Sequence, residues 1–183
     1  MRGFKISPGR IFRGAMLLLL GCSIYFTVNV ELRRRSWASA GATTVKSGAR
    51  VEVIKVIDGD ELTLRTSEGL AIKARLIGIK TFKPSVHEPG MAAVGTAAVS
   101  RLKQLASGDL TLEFKQRKLD RHRRLLCYLR SDARDVGLEL INGGHALAFT
   151  RYPFAREERY LAAESNASKH RRGLWNNEKA ALR

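Results

Sequence analysis

The sequence predicts a mainly β, α+β domain: a five-stranded barrel with about three helices, preceded by one N-terminal hydrophobic helix. Three observations carry this expectation. Short alternating or β-branched runs recur through the chain, turn signals separate the first three closely, and a helical pattern falls between the third and fourth.

The first run is Val51 to Ile57, closed by the tight-turn signal Asp58-Gly59-Asp60. Glu61 to Arg65 alternates again, Glu68-Gly69 turns the chain, and Ala71 to Ile79 reads as one third strand. Connections this short favour an antiparallel meander. Lys80 to Gly90 holds Pro84 and Pro89 without an apolar period and reads as a loop. Met91 to Leu105 places Val94, Ala98, Leu102 and Leu105 at helical spacing, and Gly108 ends the helix. Leu110 to Phe114 and Leu125 to Leu129 supply the fourth and fifth strands, with a basic turn from Arg117 to Arg124 between them. Val136 to Ile141 is a short helix, Pro153 opens a longer polar helix reaching about His170, and Gly173-Leu174-Trp175 folds back as an anchor. This order suits a small Greek-key barrel of the OB type; another small α+β fold meets the same pattern.

Upstream, Arg2, Lys5, Arg10 and Arg13 precede an uncharged run from Gly14 to Val30, and Arg33-Arg34-Arg35 follow it. At about 1.5 Å per residue the run is about 25 Å long, just short of a hydrocarbon core. An uncleaved signal anchor is the favoured expectation, with the domain on the periplasmic or extracytoplasmic side of a membrane. Cleavage after Ala38-Ser39-Ala40, or lipidation of Cys22 after Leu19-Leu20-Gly21, are the alternatives. The expected organisation is an anchor over residues 1–35, a flexible linker over 36–50, a domain over 51–175 and a tail over 176–183.

The net charge is +16. Nine of the 33 Lys and Arg and one of the 17 acids fall in residues 1–50, leaving 24 and 16 beyond, so each part carries an excess of +8. A cationic domain attracts polyanions such as nucleic acid, anionic headgroups or phosphorylated small molecules. With 44% hydrophobic residues the chain is not of the disordered class. Its two cysteines make no disulfide framework. No protein partner is identifiable from the residues.

Four motifs in order then carry a resemblance: Val56-Ile57-Asp58-Gly59-Asp60, Arg75-Leu76-Ile77-Gly78-Ile79, Asp120-Arg121-His122-Arg123-Arg124-Leu125-Leu126 and Arg172-Gly173-Leu174-Trp175. Together they resemble the staphylococcal-nuclease (thermonuclease-like) family over about 125 residues. The resemblance implies an OB-fold barrel, a DNA- or RNA-directed phosphodiesterase activity, and Ca²⁺ held by carboxylates. It places Asp60 at a calcium carboxylate, with Asp58 beside it, and Arg75 and Arg124 at the phosphate. Tyr128 lies on the matching strand, and Lys80, Lys83 and Arg121 are further candidate substrate contacts. The sequence departs from the family at four places: Lys80 stands where a second calcium carboxylate is expected, Lys83 where a general-base glutamate is expected, Phe82 where a proline lies between them, and Glu61 where a threonine is usual.

These departures weigh against the metal. An ammonium about 4 Å from a divalent cation costs on the order of 8 kcal/mol at an effective dielectric near 20. Lys80 is expected instead to sit in the cation's place, pairing with Asp60 and helping the arginines hold phosphate. Glu61, His87 or Glu88 are the carboxylates and imidazole able to replace the missing base. The first reading is a nuclease with a rebuilt site and the second a degenerate member that binds nucleic acid or a phosphorylated ligand without cleaving it; Arg75 and Arg124 favour both over a third, a structural or interaction module at the envelope.

Overall fold

The structure, a computed structural model, describes residues 8–85, 89–132 and 134–176, with the side chains of 8–13, 15, 31–41 and 89 outside that description. His87 and Glu88 therefore lie outside the described residues, as does the tail from residue 177. The chain divides into two compact units, Met1–Trp37 and Ala38–Arg183.

Helix α1 covers Pro8–Thr44. Its apolar run is open to solvent: Leu17, Leu18 and Leu19 are 68%, 70% and 72% exposed. Two polar side chains in the run bond back to the helix itself, Thr27 Oγ1 donating to the Ser23 carbonyl (2.8 Å) and Asn29 Nδ2 to the Tyr25 carbonyl (3.0 Å). Among the described residues no helix is long and apolar enough to cross a membrane.

The second unit is built on strands β1 (Ala49–Asp58), β2 (Glu61–Thr66), β3 (Ala71–Leu76), β5 (Leu110–Glu113) and β6 (Leu125–Ser131). The antiparallel order is β3-β2-β1-β5-β6, and a parallel pairing of β3 with β6 closes the ring, matching Ala74 with Leu125 and Leu76 with Cys127. This is the closed five-stranded barrel expected from the pattern. Register shifts bend β1 between Val53 and Lys55 and between Val56 and Asp58, so one strand serves two neighbours. It pairs with β2 over Val51 to Asp58 and with β5 over Ala49 to Val51. Alternate residues point inward: Leu62, Leu64, Ile72, Ala74, Leu112, Leu125 and Leu129 are wholly buried. Each large aliphatic side chain removed from water contributes about 1.5–3 kcal/mol.

Helix α2 (Pro89–Leu105) sets Ala98 and Leu102 into the protein interior. It also approaches the loop before it at Gly95, where a Cβ would lie 2.6 Å from the Lys83 carbonyl carbon and 2.7 Å from the Phe82 oxygen. Helix α3 (Val136–Asn142) follows the two-residue strand β7 (Arg134–Asp135) and is capped by Asp135, whose carboxylate accepts from the Leu138 amide. Helix α4 (Glu157–Lys169) and a 3₁₀ turn (Gly173–Asn176) complete the unit.

Three expectations need correcting. The third strand does not run unbroken to Ile79. It stops at Leu76, Gly78 takes a left-handed φ of 75°, and a separate strand β4 (Ile79–Lys80) pairs with β8 (Leu147–Ala148). The Phe154 ring packs where a Cβ at residue 78 would go, 2.3 Å away, so glycine is needed both for space and for φ. Helix α4 starts at Glu157 rather than at Pro153. Phe154 and Arg156 are drawn to the barrel instead, where the Phe154 ring meets Tyr160 and Arg156 pairs with Asp135 and Glu113. Residues 36–50 are not a free linker: α1 continues to Thr44, and Ala42 and Val45 join the core. The Gly48 amide donates to the Leu112 carbonyl (2.8 Å), and Arg117 Nη2 donates to the Val45 carbonyl (2.6 Å). The alanines that read as flexible are also good helix formers, and burial decides between the two.

Candidate nucleic-acid site

Turn and strand register assemble the site. Asp60 sits in the turn between β1 and β2, where its amide donates to Asp58 Oδ1 (3.1 Å) and its carbonyl accepts from the Leu76 amide (3.0 Å). The next residue, Glu61, stands opposite Arg75 in the β2–β3 ladder. Arg75 in turn stands opposite Leu126 across the parallel β3–β6 pairing, two residues after Arg124. The barrel closure therefore brings to one edge two arginines that are far apart in sequence.

Each arginine is paired. Arg75 makes a two-pronged bond to Asp60, Nη1 to Oδ1 at 3.1 Å and Nη2 to Oδ2 at 2.9 Å. Arg124 is held from two sides. Its Nε and Nη2 meet Asp120 Oδ2 at 2.7 Å and 2.6 Å, and its Nη1 donates to Glu61 Oε2. Asp120 also folds the turn that carries Arg124, its Oδ1 accepting from the amides of His122 (2.9 Å) and Arg124 (3.0 Å). A short side chain folding back on its own turn is a habit of aspartate.

Asp60 is 3% exposed. Burial pushes its carboxyl up to about 7, helped by the hydrogen bond and charge of Asp58 and opposed by the Arg75 guanidinium and the Thr81 amide. Asp120 goes the other way: burial acts to raise it, but the hydrogen bonds and charge of Arg124 hold it below the usual carboxylate range. Burial works against the charge on Arg124, yet Asp120 and Glu61 together raise its affinity for its proton.

The remaining candidates lie outside this bonded cluster. Lys80 and Lys83 are exposed. Lys80 does not take the cation's place beside Asp60. In β4 it alternates outward while Ile79 points in, and Arg75 already holds both Asp60 oxygens. Arg121 is exposed in the same turn as Arg124 and donates to His122 Nε2 at 3.0 Å. Tyr128 is 8% exposed, under the Arg156 guanidinium at 3.9 Å from its ring centre. Burial raises its phenol, while the Arg156 charge and the backbone amides of Ala155 and Arg156 act to lower it. Tyr128 thus belongs to a second network, in which Arg156 joins Glu113 to Asp135 and the Tyr160 hydroxyl donates to Asp135 at 3.0 Å.

Among the described residues no group of three or more His, Cys, Asp or Glu is arranged to hold a metal ion. Calcium takes six to eight oxygens. Here the buried carboxylate offered to it has both oxygens committed to a guanidinium, and the position expected to bring a second carboxylate bears an exposed ammonium. These donors do not fit a hard divalent cation.

Residues 73–177 match the family described as Staphylococcal nuclease homologue. This chain belongs to that family. The nuclease-homologue domain has relatives of two kinds. An "Uncharacterized endonuclease" of Haemophilus influenzae is 29% identical over 123 residues, which cover 67% of this chain and 64% of that protein. A "Thermonuclease" of Staphylococcus hyicus is 26% identical over 175 residues, covering 94% of this chain and 99% of that protein. The matched region of the nuclease-homologue domain contains Arg75, Lys80, Lys83, Asp120 and Arg124, while Asp60 and Glu61 precede it.

Asp120 and Glu61 are the site residues that sequence reasoning did not assign to Arg124. The Asp at the head of a basic turn was a usable signal for the first. For Glu61 there was none, because its partner lies 63 residues away.

Proposed function

We propose that this chain acts on nucleic-acid phosphodiesters as a nuclease, with Arg75 and Arg124 at the phosphate. The observation that carries this reading is the barrel closure, which sets both arginines on one edge of a domain of this family. A diester carries one negative charge and its five-coordinate transition state carries more, so fixed guanidinium groups aimed there lower the barrier. The exposed Lys80, Lys83 and Arg121 add attraction for the backbone.

A second reading, binding without cleavage, is favoured by two observations: the expected general-base position is an exposed lysine, and the donor set does not fit calcium. Cleavage of labelled single-stranded DNA by the full chain, with Ca²⁺, Mg²⁺, Mn²⁺ or chelator, separates the two. Cutting that disappears in the Arg75→Ala/Arg124→Ala variant supports the nuclease. Cutting that survives in that variant rejects the assignment of the arginines. No cutting, with salt-sensitive binding weakened in the variant, selects the second reading.

We further propose that the apolar run of α1 attaches the chain to a membrane, since its leucines are exposed and its Thr27 and Asn29 are satisfied within the helix. Co-sedimentation of the full chain with lipid vesicles tests this. Loss of sedimentation on Leu17→Lys/Leu19→Lys is the expected result, and unchanged sedimentation rejects it.

A further inference from the structure

We propose that Glu61 is a carboxylate gate on the phosphate clamp, occupying the Nη1 side of Arg124 that an incoming phosphate must take over. The proposal rests on the reading of Arg75 and Arg124 given above and adds a residue that sets the affinity of that site.

The geometry separates the two carboxylates on Arg124. Asp120 is sufficient to position it. It holds the Nε and Nη2 nitrogens through one oxygen, at 2.7 Å and 2.6 Å, and the Arg124 backbone amide through the other, at 3.0 Å. Glu61 is not part of that turn but of β2. It reaches across from β2 and meets Arg124 at Nη1. A phosphate binds arginine best through two parallel N–H groups. On the Nη1–Nη2 edge, Glu61 takes one nitrogen and Asp120 shares the other. Both Arg124 and Glu61 are largely buried, with side chains 13% and 18% exposed, so the pair is not simply washed out by solvent. The other arginine is engaged as well, on Asp60. Three acidic side chains, Asp60, Glu61 and Asp120, face two guanidinium groups, so an arriving phosphate meets arginines whose donors are already engaged. Glu61 is the member whose removal leaves both arginines anchored, Arg75 by Asp60 and Arg124 by Asp120.

The test is fluorescence anisotropy with the full chain and a short fluorescein-labelled thymidine oligonucleotide, in chelator at low ionic strength. Glu61→Gln keeps a hydrogen-bond acceptor and removes the charge; Glu61→Thr is the second variant should the first fold poorly. Either is expected to tighten binding about tenfold, the scale set by removing one like charge a few ångströms from the phosphate. Inorganic phosphate should displace the oligonucleotide at a correspondingly lower concentration. The gain should vanish in Glu61→Gln/Arg124→Ala. Unchanged or weaker binding by both Glu61 variants, while Arg75→Ala and Arg124→Ala each weaken binding, would overturn the gate and leave the clamp standing. Wild-type binding by both arginine variants would overturn the clamp and the gate together.

Discussion

Replacing Arg75 with alanine should cost little stability in mild acid and much more in base. Asp60 is buried at 3% exposure, and its carboxyl is pushed up to about 7 with Arg75 the strongest influence holding it down. Below that value the folded protein already carries a protonated Asp60, so losing Arg75 removes hydrogen bonds but strands no charge. Above it, the wild type ionises Asp60 against the guanidinium, whereas the variant must either keep the proton or bury an unpaired carboxylate. Because Asp60 in the fold binds its proton more tightly than in the unfolded chain, its contribution to stability is full below about pH 4 and is lost as pH rises through about 7. In the variant the folded value moves higher still. The difference between the two proteins therefore grows above pH 7, by at most about 1.4 kcal/mol per pH unit, until the variant's own Asp60 ionises. Urea unfolding of both full chains at pH 6 and pH 9, followed by circular dichroism, measures it. Equal losses at the two pH values would refute the assignment of a raised Asp60 and the role given to Arg75.

Three other outcomes are expected. Tyr160→Phe should cost about 1–2 kcal/mol in the same assay, because the buried Tyr160 hydroxyl bonds both Asp135 oxygens, at 3.0 and 3.2 Å, and deleting it leaves that carboxylate short of a donor. Gly144→Ala should fail to fold or lose several kcal/mol, since its φ is +69° and a Cβ would lie 2.0 Å from the Arg172 oxygen; a variant of wild-type stability would contradict the close approach of the two segments. A thiol reagent should label one cysteine quickly and one only on unfolding: Cys22 is exposed, whereas Cys127 is buried with its thiol pushed up to about 12.

Much of the barrel was legible because strand period and turn chemistry are local. Val51 to Ile57, Glu61 to Arg65 and Leu110 to Phe114 carry their own alternation, and Asp58-Gly59-Asp60 announces its turn. The misplacements fell where a local preference met a tertiary demand. Ile79 continues the apolar run of β3 yet pairs with Ala148, because Gly78 turns the backbone aside to admit Phe154. Pro153 is well suited to open a helix, but the pairing of Arg156 with Asp135 and Glu113 delays α4 to Glu157.

The site divides in the same way. The amino-acid sequence by itself determined which charged residues are candidates for the site: Arg75, Arg124 and Asp60, with Glu61, Lys80 and Lys83 near them in the chain. The tertiary structure alone decided how those charges are partnered: Asp60 with Arg75 rather than Lys80, and Arg124 with both Asp120 and Glu61. The physical reason is reach. An ion pair depends on a few ångströms between side-chain atoms, and those separations are set by the register of β2 on β3 and the closure of β3 on β6, which no local stretch of sequence encodes.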